Sequence, residues 1–316
     1  MAADDLTPSD RARELVRGGY DTHIHIAPDV VKRRITDVQL ARRFAELGLA
    51  GFGLKSHYTS TAERARTVSE AVPEVDTIGT ITLNRAVGGL NPVAVEIAAR
   101  EGARIVWFPT VSSENEQHEV LAADPNGKVP VWVRFELELR EAGVVPEPVP
   151  VVAGGELVAA ARAVLEVIAR HDLVLATGHL SREEIFVLVD GAVDAGVKRI
   201  VVTHPEFPSQ RIGIEDQVAL GDRGALLERA FTTPYTGKCS WEQVFDASRA
   251  VGAERSVWST DLGQVFNPPV EDGLAIMADR FLAAGFDEEE VRAMAVENTR
   301  FIAEANSSAR ERVAAA

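Results

Sequence analysis

Eight apolar runs rich in β-branched residues recur along the 316-residue chain, and polar residues follow each of them. The runs lie at 19–26, 48–57, 75–84, 103–112, 172–181, 197–205, 225–234 and 255–263. Segments with helical periodicity lie between or after them, at 36–48, 61–72, 91–102, 154–171, 181–196, 213–224, 240–252 and 273–285. Alternating strands and helices predict a parallel sheet. We therefore predict one (β/α)8 TIM barrel domain over 1–316. An open doubly wound sheet is the alternative, but the first run lacks a Gly-rich phosphate loop.

The spacing of the strand ends supports the barrel. A polar residue follows the C-terminal end of each predicted strand, and the eight are His25, Lys55, Asn84, Thr110, His179, His204, Thr232 and Asp261. Successive steps are 30, 29, 26, 69, 25, 28 and 29 residues. The long step contains an insertion after strand 4, at 112–156, which is roughly forty residues more than a βα unit needs. Its Asp-Pro-Asn-Gly turn beside alternating apolar residues at 124–139 predicts a hairpin or lid over the C-terminal mouth of the barrel.

Composition and the two terminal segments narrow the function classes. The net charge of −15, from 33 basic and 48 acidic residues, argues against nucleic acid or an anionic membrane as partner. No uninterrupted apolar stretch approaches the ~18–20 residues of a membrane span. Residues 1–17 read as an N-capped helix rather than a signal peptide, and 287–316 as helices that pack on the barrel. The single cysteine, Cys239, excludes an internal disulfide and has no nearby histidine in the sequence to activate it. We expect a cytoplasmic protein with a small-molecule substrate, and a homo-oligomer is compatible with this composition.

Two histidines lie one residue apart in GGYDTHIHIAPDV, residues 18–30. Side chains at i and i+2 of an extended segment point the same way, so His23 and His25 aim two imidazoles at one point. Imidazoles that converge in this way commonly bind a metal. In this stretch alone, two hydrogen-bonded polar residues on one face would give the same pattern.

The wider pattern favours the metal. Five of the seven histidines follow predicted strands, together with Lys55 and Asp261, on the face where barrel enzymes build their sites. The five are His23, His25, His57, His179 and His204. His171 precedes strand 5 at the opposite end of the barrel, where a structural role is expected.

These residues resemble the motifs of the amidohydrolase superfamily of metal-dependent hydrolases. In that superfamily a His-x-His follows strand 1, single histidines end strands 5 and 6, and an aspartate ends strand 8. The matching segments here are HIH at 23–25, TGH at 177–179, VTH at 202–204 and STD at 259–261. VENTRFIA at 296–303 resembles the helix that follows strand 8 there, so the resemblance spans residues 18–303. The segments LKSH, GGLNP and VWFPTVS are similar to an uncharacterised branch of the superfamily.

The chain departs from the superfamily at the bridging ligand. Two-metal members commonly use a carboxylated lysine or a glutamate at the end of strand 4, whereas VWFPTVSSENEQHE contains no lysine. Lys55 could take this role from strand 2, because a buried neutral amine reacts with carbon dioxide to give an anionic carbamate. Lys55 could instead bind substrate as a cation or form a structural ion pair. Glu114 and Glu116 are weaker candidates for the bridge.

The resemblance implies a ligand set of His23, His25, His179, His204 and Asp261, with Lys55 added, for one or two divalent ions. Zn²⁺ is expected first, and Mn²⁺, Fe²⁺, Co²⁺ or Ni²⁺ also suits these ligands. Such a metal lowers the pKa of bound water to ~7, so hydroxide can attack the carbonyl of an amide, cyclic amide or lactone. Asp261 would transfer the proton, and His204 or His57 would stabilise the oxyanion.

Other activities use the same barrel. Decarboxylation and phosphoester hydrolysis are the enzymatic alternatives, and a non-catalytic barrel that binds a metal or ligand is the third. A phosphoester substrate would favour several cations at the mouth, and the candidates are Lys55, Arg85 and Lys238. Four residues are candidates for contact with a small-molecule substrate: Asn84, Arg85, His118 and Tyr235.

Overall fold

The computed structural model describes residues 6–117, 131–144 and 147–306, and a parallel sheet of eight strands forms its centre. The strands are β1 Tyr20–Ile24, β2 Gly51–Leu54, β3 Asp76–Thr82, β4 Ala103–Trp107, β5 Val174–Ala176, β6 Arg199–Val202, β7 Leu226–Ala230 and β8 Ser256–Ser259. Each strand pairs in parallel with the next one in the chain. All eight strands lie within the predicted apolar runs. Strands of a parallel sheet are buried on both faces, so their sequences are nearly continuous in apolar residues.

Two backbone hydrogen bonds join the last strand to the first. Just beyond β8, the Asp261 N–H donates to the His23 carbonyl oxygen at 2.8 Å. The His25 N–H donates in turn to the Leu262 carbonyl oxygen at 2.8 Å. The sheet is therefore nearly closed, and the predicted (β/α)8 barrel is confirmed.

Helices surround the barrel and cover its strands. They are α1 Asp10–Leu15, α2 Asp37–Leu47, α3 Ala62–Ala71, α4 Pro92–Glu101, α5 Val131–Glu141, α6 Ala159–Arg170, α7 Arg182–Asp194, α8 Ile214–Asp222, α9 Thr232–Tyr235, α10 Trp241–Val251, α11 Gly273–Ala283, α12 Glu288–Arg292 and α13 Asn298–Ala303. Capping boxes begin α2, α7 and α10 at Thr36, Ser181 and Ser240, as the sequence predicts. None of the described helices is long and apolar enough to cross a membrane.

The core has an inner and an outer part. Inside the barrel, apolar side chains from β3 to β6 and from β8 pack with the C-terminal Ile302, Ala303 and Ala305. Outside it, two larger clusters fill the space between the strands and the helices. The inner cluster therefore supports the strands from below, at the end opposite the polar strand ends.

The expected hairpin within the insertion is wrong for residues 131–141, which form α5. The alternating apolar residues there favoured a strand, but a strand needs a neighbour to satisfy its backbone, whereas a helix does so internally. Phe135 of α5 packs edge-on against Tyr58 after β2, with ring centroids 5.0 Å apart. This contact places α5 beside the C-terminal mouth, where the lid was expected.

A two-stranded antiparallel hairpin lies between α5 and α6, where the sequence predicted the start of a helix at 154. Its strands are Val152–Ala153 and Glu156–Leu157. The two residues between them, Gly154 and Gly155, have φ of 61° and 83°. Left-handed glycine pairs form tight hairpin turns, so α6 begins only at Ala159.

Both terminal segments pack on the barrel over the described residues. The Arg13 guanidinium of α1 pairs with Asp272 at 2.8 Å, close to the start of α11. The Thr299 hydroxyl of α13 accepts the Tyr20 N–H at 3.1 Å, at the beginning of β1. The segment 296–303 therefore lies beneath the barrel rather than at its mouth.

We predict that Gly263→Ala prevents proper closure of the barrel. Gly263 has φ of 127°, and a Cβ there would lie 1.6 Å from the His25 carbonyl oxygen. The substitution should lower the free energy of unfolding by about 3 kcal/mol or more, measured by urea titration. Gly213→Ala is the control, because its φ is −64° and a Cβ would have no atom nearer than 4.0 Å. Equal unfolding midpoints for the two variants would contradict the prediction.

Candidate metal centre

A cavity of about 700 Å³ opens at the C-terminal mouth of the barrel. Its lining comprises His25, Val31, Arg33, Lys55, His57, Arg134, His179, His204, Phe207, Thr232, Thr236, Lys238, Asp261, Gln264, Phe266 and Asn267. Most of the polar strand-end residues that the sequence singled out therefore line a single space.

Three ligand-type side chains come together at the closure of the barrel. Asp261 Oδ1 lies 3.2 Å from His25 Nε2 and 3.4 Å from His23 Nε2. The candidate ligand atoms of these three residues all lie within 4.8 Å of one another. Asp261 has φ of 52°, a left-handed conformation that is strained for a non-glycine residue and recurs at functional sites.

Burial keeps the imidazoles around the cavity neutral. Desolvation is the largest influence on the pKa of His25, which falls to about 3. It also lowers the pKa values of His57, His179 and His204. A neutral imidazole has a free lone pair on one ring nitrogen, which is the form that binds a metal.

Glu228 of β7 holds the ring of His23 from behind. His23 Nδ1 lies 2.8 Å from Glu228 Oε1, and the Ser259 hydroxyl donates to the same oxygen at 2.7 Å. Burial by itself would raise the pKa of Glu228, but His23, His204 and these hydrogen bonds outweigh it and lower the pKa to about 2. The carboxylate is therefore ionised and accepts a hydrogen bond from His23 Nδ1–H, which leaves Nε2 as the ring nitrogen that faces Asp261.

Gln210 holds His204 in the same manner. The Gln210 amide nitrogen donates to the carbonyl oxygens of Gly178 and Thr203 at 2.7 and 2.9 Å, which fixes the orientation of the amide. Its oxygen therefore accepts from His204 Nδ1 at 2.9 Å. His204 has its lone pair on Nε2, and its φ of 24° is again unusual for a non-glycine residue.

Glu116 lies beside His179 and not in the lining of the cavity. Its Oε2 is 3.3 Å from His179 Nδ1, and both side chains are buried. Carboxylates in this position orient metal-binding histidines. The structure thus places Glu116 as an orienting group for His179, while Glu114 is exposed.

Asp261 is ionised at the centre of the site. Burial would raise its pKa, but the adjacent His23, His25 and Lys55 outweigh that effect and hold the pKa well below its usual value. The Thr232 hydroxyl donates to Asp261 Oδ2 at 2.9 Å. This hydrogen bond leaves Oδ1 as the oxygen that faces the two histidines.

Lys55 is buried at the end of β2 and lies against the metal-ligand candidates. Its Nζ is 2.9 Å from His23 Nε2 and 5.1 Å from the centre of the Trp107 ring. Desolvation lowers the pKa of Lys55 to about 8, although Asp261, Glu228 and Glu116 attract the charged form. The Lys55 amine therefore lies directly against the Nε2 atom of His23.

His57 lines the cavity next to His25, with the two rings stacked at 4.8 Å between centroids. His57 Nδ1 lies 2.9 Å from the Thr110 hydroxyl. That hydroxyl accepts from the Asn84 amide nitrogen at 2.8 Å, so its own proton is available to donate to His57 Nδ1. With this arrangement, Nε2 of His57 carries the proton and points a donor at the cavity.

Three of the four predicted substrate residues do not line the cavity. The Asn84 amide is fully used behind His57, where its oxygen accepts the N–H groups of Thr110 and Ser112. Arg85 donates to the carbonyl oxygens of Glu147 and Pro148. Tyr235 stacks on Phe231 in the outer core at 5.0 Å. The fourth residue, His118, lies outside the described residues.

His171 lies far from the cavity, as expected. Its Nε2 is 2.9 Å from Glu96 Oε2, an ion pair between α6 and α4 on the outside of the barrel.

Sequence reasoning missed the residues that orient the imidazoles. Glu228 carried a detectable signal, since a Glu-Arg pair interrupts an otherwise apolar strand. Its neighbour Arg229 points to the other face, where it pairs with Glu206 and the Gln217 amide. Gln210 carried no comparable signal, because it lies in a loop whose path only the folded chain defines.

The residues present fit a divalent metal. The site offers neutral imidazoles and an ionised carboxylate, which are ligand types that such ions take. It also contains Lys55, whose pKa is lowered to about 8. His25 Nδ1 is buried without a hydrogen-bond partner among the described residues. An unsatisfied buried nitrogen is costly unless something else binds there.

Comparison with known families and structures identifies the family of this chain and other proteins with the same fold. The profile of a family of unknown function, DUF6282, matches residues 18–228, and the chain belongs to that family. No curated protein matches the sequence.

Solved structures with the same fold include several hydrolases by name. An amidohydrolase from Pseudomonas aeruginosa aligns over 93% of this chain and 98% of its own, with a TM-score of 0.62 and 12% identity. A putative 2-pyrone-4,6-dicarboxylic acid hydrolase from Pseudomonas putida aligns over 90% of this chain and 97% of its own, with a TM-score of 0.56 and 18% identity. A phosphotriesterase homology protein from Escherichia coli, complexed with phosphate, aligns over 90% of this chain and 98% of its own, with a TM-score of 0.52 and 14% identity. The resemblance to amidohydrolases is thus confirmed at the level of the fold.

We predict that Glu228→Gln weakens metal binding by about 10- to 100-fold. A neutral amide cannot accept the Nδ1 proton of His23 as strongly as the carboxylate, and its own N–H₂ group can force the opposite tautomer. The affinity for Zn²⁺ or Co²⁺ would be measured by competition with a chelator. Glu183→Gln on the exposed face of α7 is the matched control, since that side chain is 75% exposed. Identical affinities in both variants would remove Glu228 from the site.

Proposed function

We propose that this protein is a metal-dependent hydrolase that cleaves an amide, cyclic amide or lactone bond in a small molecule. One observation carries the proposal: neutral imidazoles from β1, β2, β5 and β6 share a cavity with the ionised Asp261 after β8. The fold shared with hydrolases supports the reaction type by analogy only.

His23, His25, His179, His204 and Asp261 would hold one or two divalent ions, most simply Zn²⁺. When bound, such an ion supplies a Lewis acid that activates water near neutral pH and polarises the substrate carbonyl. Glu228, Gln210 and Glu116 orient three of these imidazoles, so little rearrangement is needed before binding.

Lys55 is the proposed bridging ligand, in its carbamate form. As an ammonium it lies 2.9 Å from His23 Nε2 and would repel a second cation there. Reaction of its neutral amine with carbon dioxide replaces that positive charge with a carboxylate-like group. Burial supports the reaction, because it brings the pKa of Lys55 to about 8 and so raises the neutral fraction at physiological pH.

Two residues have separate roles towards the substrate. Asp261 Oδ1 faces the centre while Thr232 holds Oδ2, so Asp261 can take a proton from the attacking water and pass it to the leaving group. His57 presents its Nε2–H to the cavity and is placed to stabilise the negative charge that develops on the carbonyl oxygen. His204, if bound to the metal, is not available for that second role.

We predict that metal stoichiometry depends on Lys55. Elemental analysis of protein purified without chelator, with bicarbonate present, should give two ions per chain for the wild type and one or none for Lys55→Ala. Lys198→Ala is the control, because that amine is 73% exposed and pairs weakly with Asp172 on the barrel exterior. One ion in both proteins would make Lys55 a substrate residue, and no ion in either would overturn the metal centre.

We predict that Asp261→Asn lowers kcat/KM by about 100-fold or more on any substrate found in a panel of amides, cyclic amides, lactones and phosphoesters. Asparagine keeps the shape but cannot accept the proton. Metal content measured on the same sample separates loss of the base from loss of the ion. Asp194→Asn, on the exposed end of α7, is the control. Full activity of the metal-bound Asp261→Asn protein would exclude the assigned base, and turnover of phosphoesters alone would replace the proposed reaction.

A further inference from the structure

The charge lining the cavity is opposite in sign to the charge of the whole chain. The protein carries a net charge of −15. The cavity lining, in contrast, contains four cations, Arg33, Lys55, Arg134 and Lys238, and one carboxylate, Asp261. The cavity is therefore a positive site in an acidic protein.

Two of the four cations have local partners. Lys55 lies against His23 and is attracted by Asp261 at the centre of the site. Arg33 forms an ion pair with Asp29 at 2.7 Å, and both side chains are almost completely buried. The positive charge available to a ligand consequently comes from Lys238 and Arg134.

Lys238 lies on the loop that follows α9, on the β7 side of the mouth. Its Nζ sits over the ring of Phe207 at 4.1 Å from the centroid, a cation–π contact that fixes the amine at the cavity wall. Phe207 in turn packs on the rings of His179 and His204. Asp261 and Glu116 attract the charge of Lys238, but no carboxylate in the described part of the chain forms a direct ion pair with it.

Arg134 projects from α5, the helix of the insertion, so it reaches the cavity from a different element. The contact between Phe135 and Tyr58 anchors this helix beside the mouth. The guanidinium has no ion pair within 6–117, 131–144 and 147–306. Guanidinium and ammonium groups without partners are the groups that bind carboxylate and phosphate oxygens.

We propose that Lys238 and Arg134 bind an oxyanion of the substrate, a carboxylate or phosphate group remote from the bond that is cleaved. This inference rests on the proposed hydrolase function and specifies its substrate class. The reacting carbonyl lies at the histidine and Asp261 end of the cavity, and the oxyanion at the rim. Phe207 provides an apolar wall between the two ends. Lys238 and Arg134 are specificity-determining residues and take no part in the chemical step.

Binding of unreactive probes tests the proposal independently of turnover. Isothermal titration at low salt would compare glutarate, its neutral analogue glutaramide, and inorganic phosphate on the full chain as purified with its metal. We expect glutarate or phosphate to bind and glutaramide not to bind. Each of Lys238→Met and Arg134→Met should weaken the affinity for the anion by about tenfold. Lys198→Met removes an exposed cation on the barrel exterior and should have no effect.

The two anionic probes identify the group, and the variants identify the site. Stronger binding of glutarate indicates a carboxylate substrate, and stronger binding of phosphate a phosphorylated one. Anion binding that is unchanged in both Lys238→Met and Arg134→Met would overturn the proposal, because it would place the anion at the metal centre. Binding of glutaramide as tight as glutarate would overturn it as well.

A matched substrate pair separates this inference from the reaction itself. For 3-(5-oxotetrahydrofuran-2-yl)propanoate and its carboxamide, in which the charged group is separated from the lactone ring by two methylenes, we expect faster turnover of the charged lactone. In Lys238→Met its KM should rise with little change in kcat. Equal turnover of the two lactones contradicts the oxyanion site while the hydrolase function stands. No turnover of any panel member, with anion binding still dependent on Lys238 and Arg134, contradicts the hydrolase function and leaves the oxyanion site in place.

Discussion

The site depends on the closure of the barrel between its first and last strands. Hydrogen bonds between His23 and Asp261, and between His25 and Leu262, bring two ends of the chain together that are more than two hundred residues apart in sequence. The same peptide groups that close the sheet belong to the residues that would bind the metal. A change that opens this seam therefore separates the carboxylate from the imidazoles. For this reason the fold and the candidate metal centre are one structural unit, and Gly263 permits the close approach that both require.

Behind the cavity, a second layer of polar side chains determines how each imidazole presents itself. Glu228 and Gln210 each accept a hydrogen bond from the Nδ1 atom of a histidine, which leaves Nε2 as the nitrogen that faces the site. Thr110 acts in the opposite sense on His57, since Asn84 leaves its hydroxyl proton free to donate. The histidines that line one space are thus not equivalent. His23 and His204 present Nε2 to the site, whereas His57 presents a hydrogen-bond donor, and the proposed hydrolysis uses these two kinds of group differently.

Charge is distributed unevenly in this protein. Acidic residues dominate its composition, whereas cations from β2, the loop after β1, the loop after α9 and α5 surround the cavity. Arg33 is paired with Asp29 and Lys55 lies against His23, so the field inside the mouth is set mainly by Lys238 and Arg134 together with any bound metal. Such an arrangement attracts an anionic ligand towards the centre. It also explains why the insertion matters to the site, because α5 contributes one of the two free charges.

The barrel and the ligand-type residues at its strand ends were predictable from the amino-acid sequence. Periodicity at strand and helix spacing, with polar residues at each strand end, depends on local chemistry that a single sequence displays, and it located His23, His25, Lys55, His179, His204 and Asp261. Which residues lie behind these side chains, and which reach the rim of the cavity, depends on the path of the folded chain. Glu228, Gln210 and Arg134 approach from a strand, a loop and an inserted helix, and no sequence spacing encodes those distances. The insertion shows the limit most directly: its alternating pattern favoured a strand, whereas residues 131–141 form a helix, which satisfies its backbone hydrogen bonds internally.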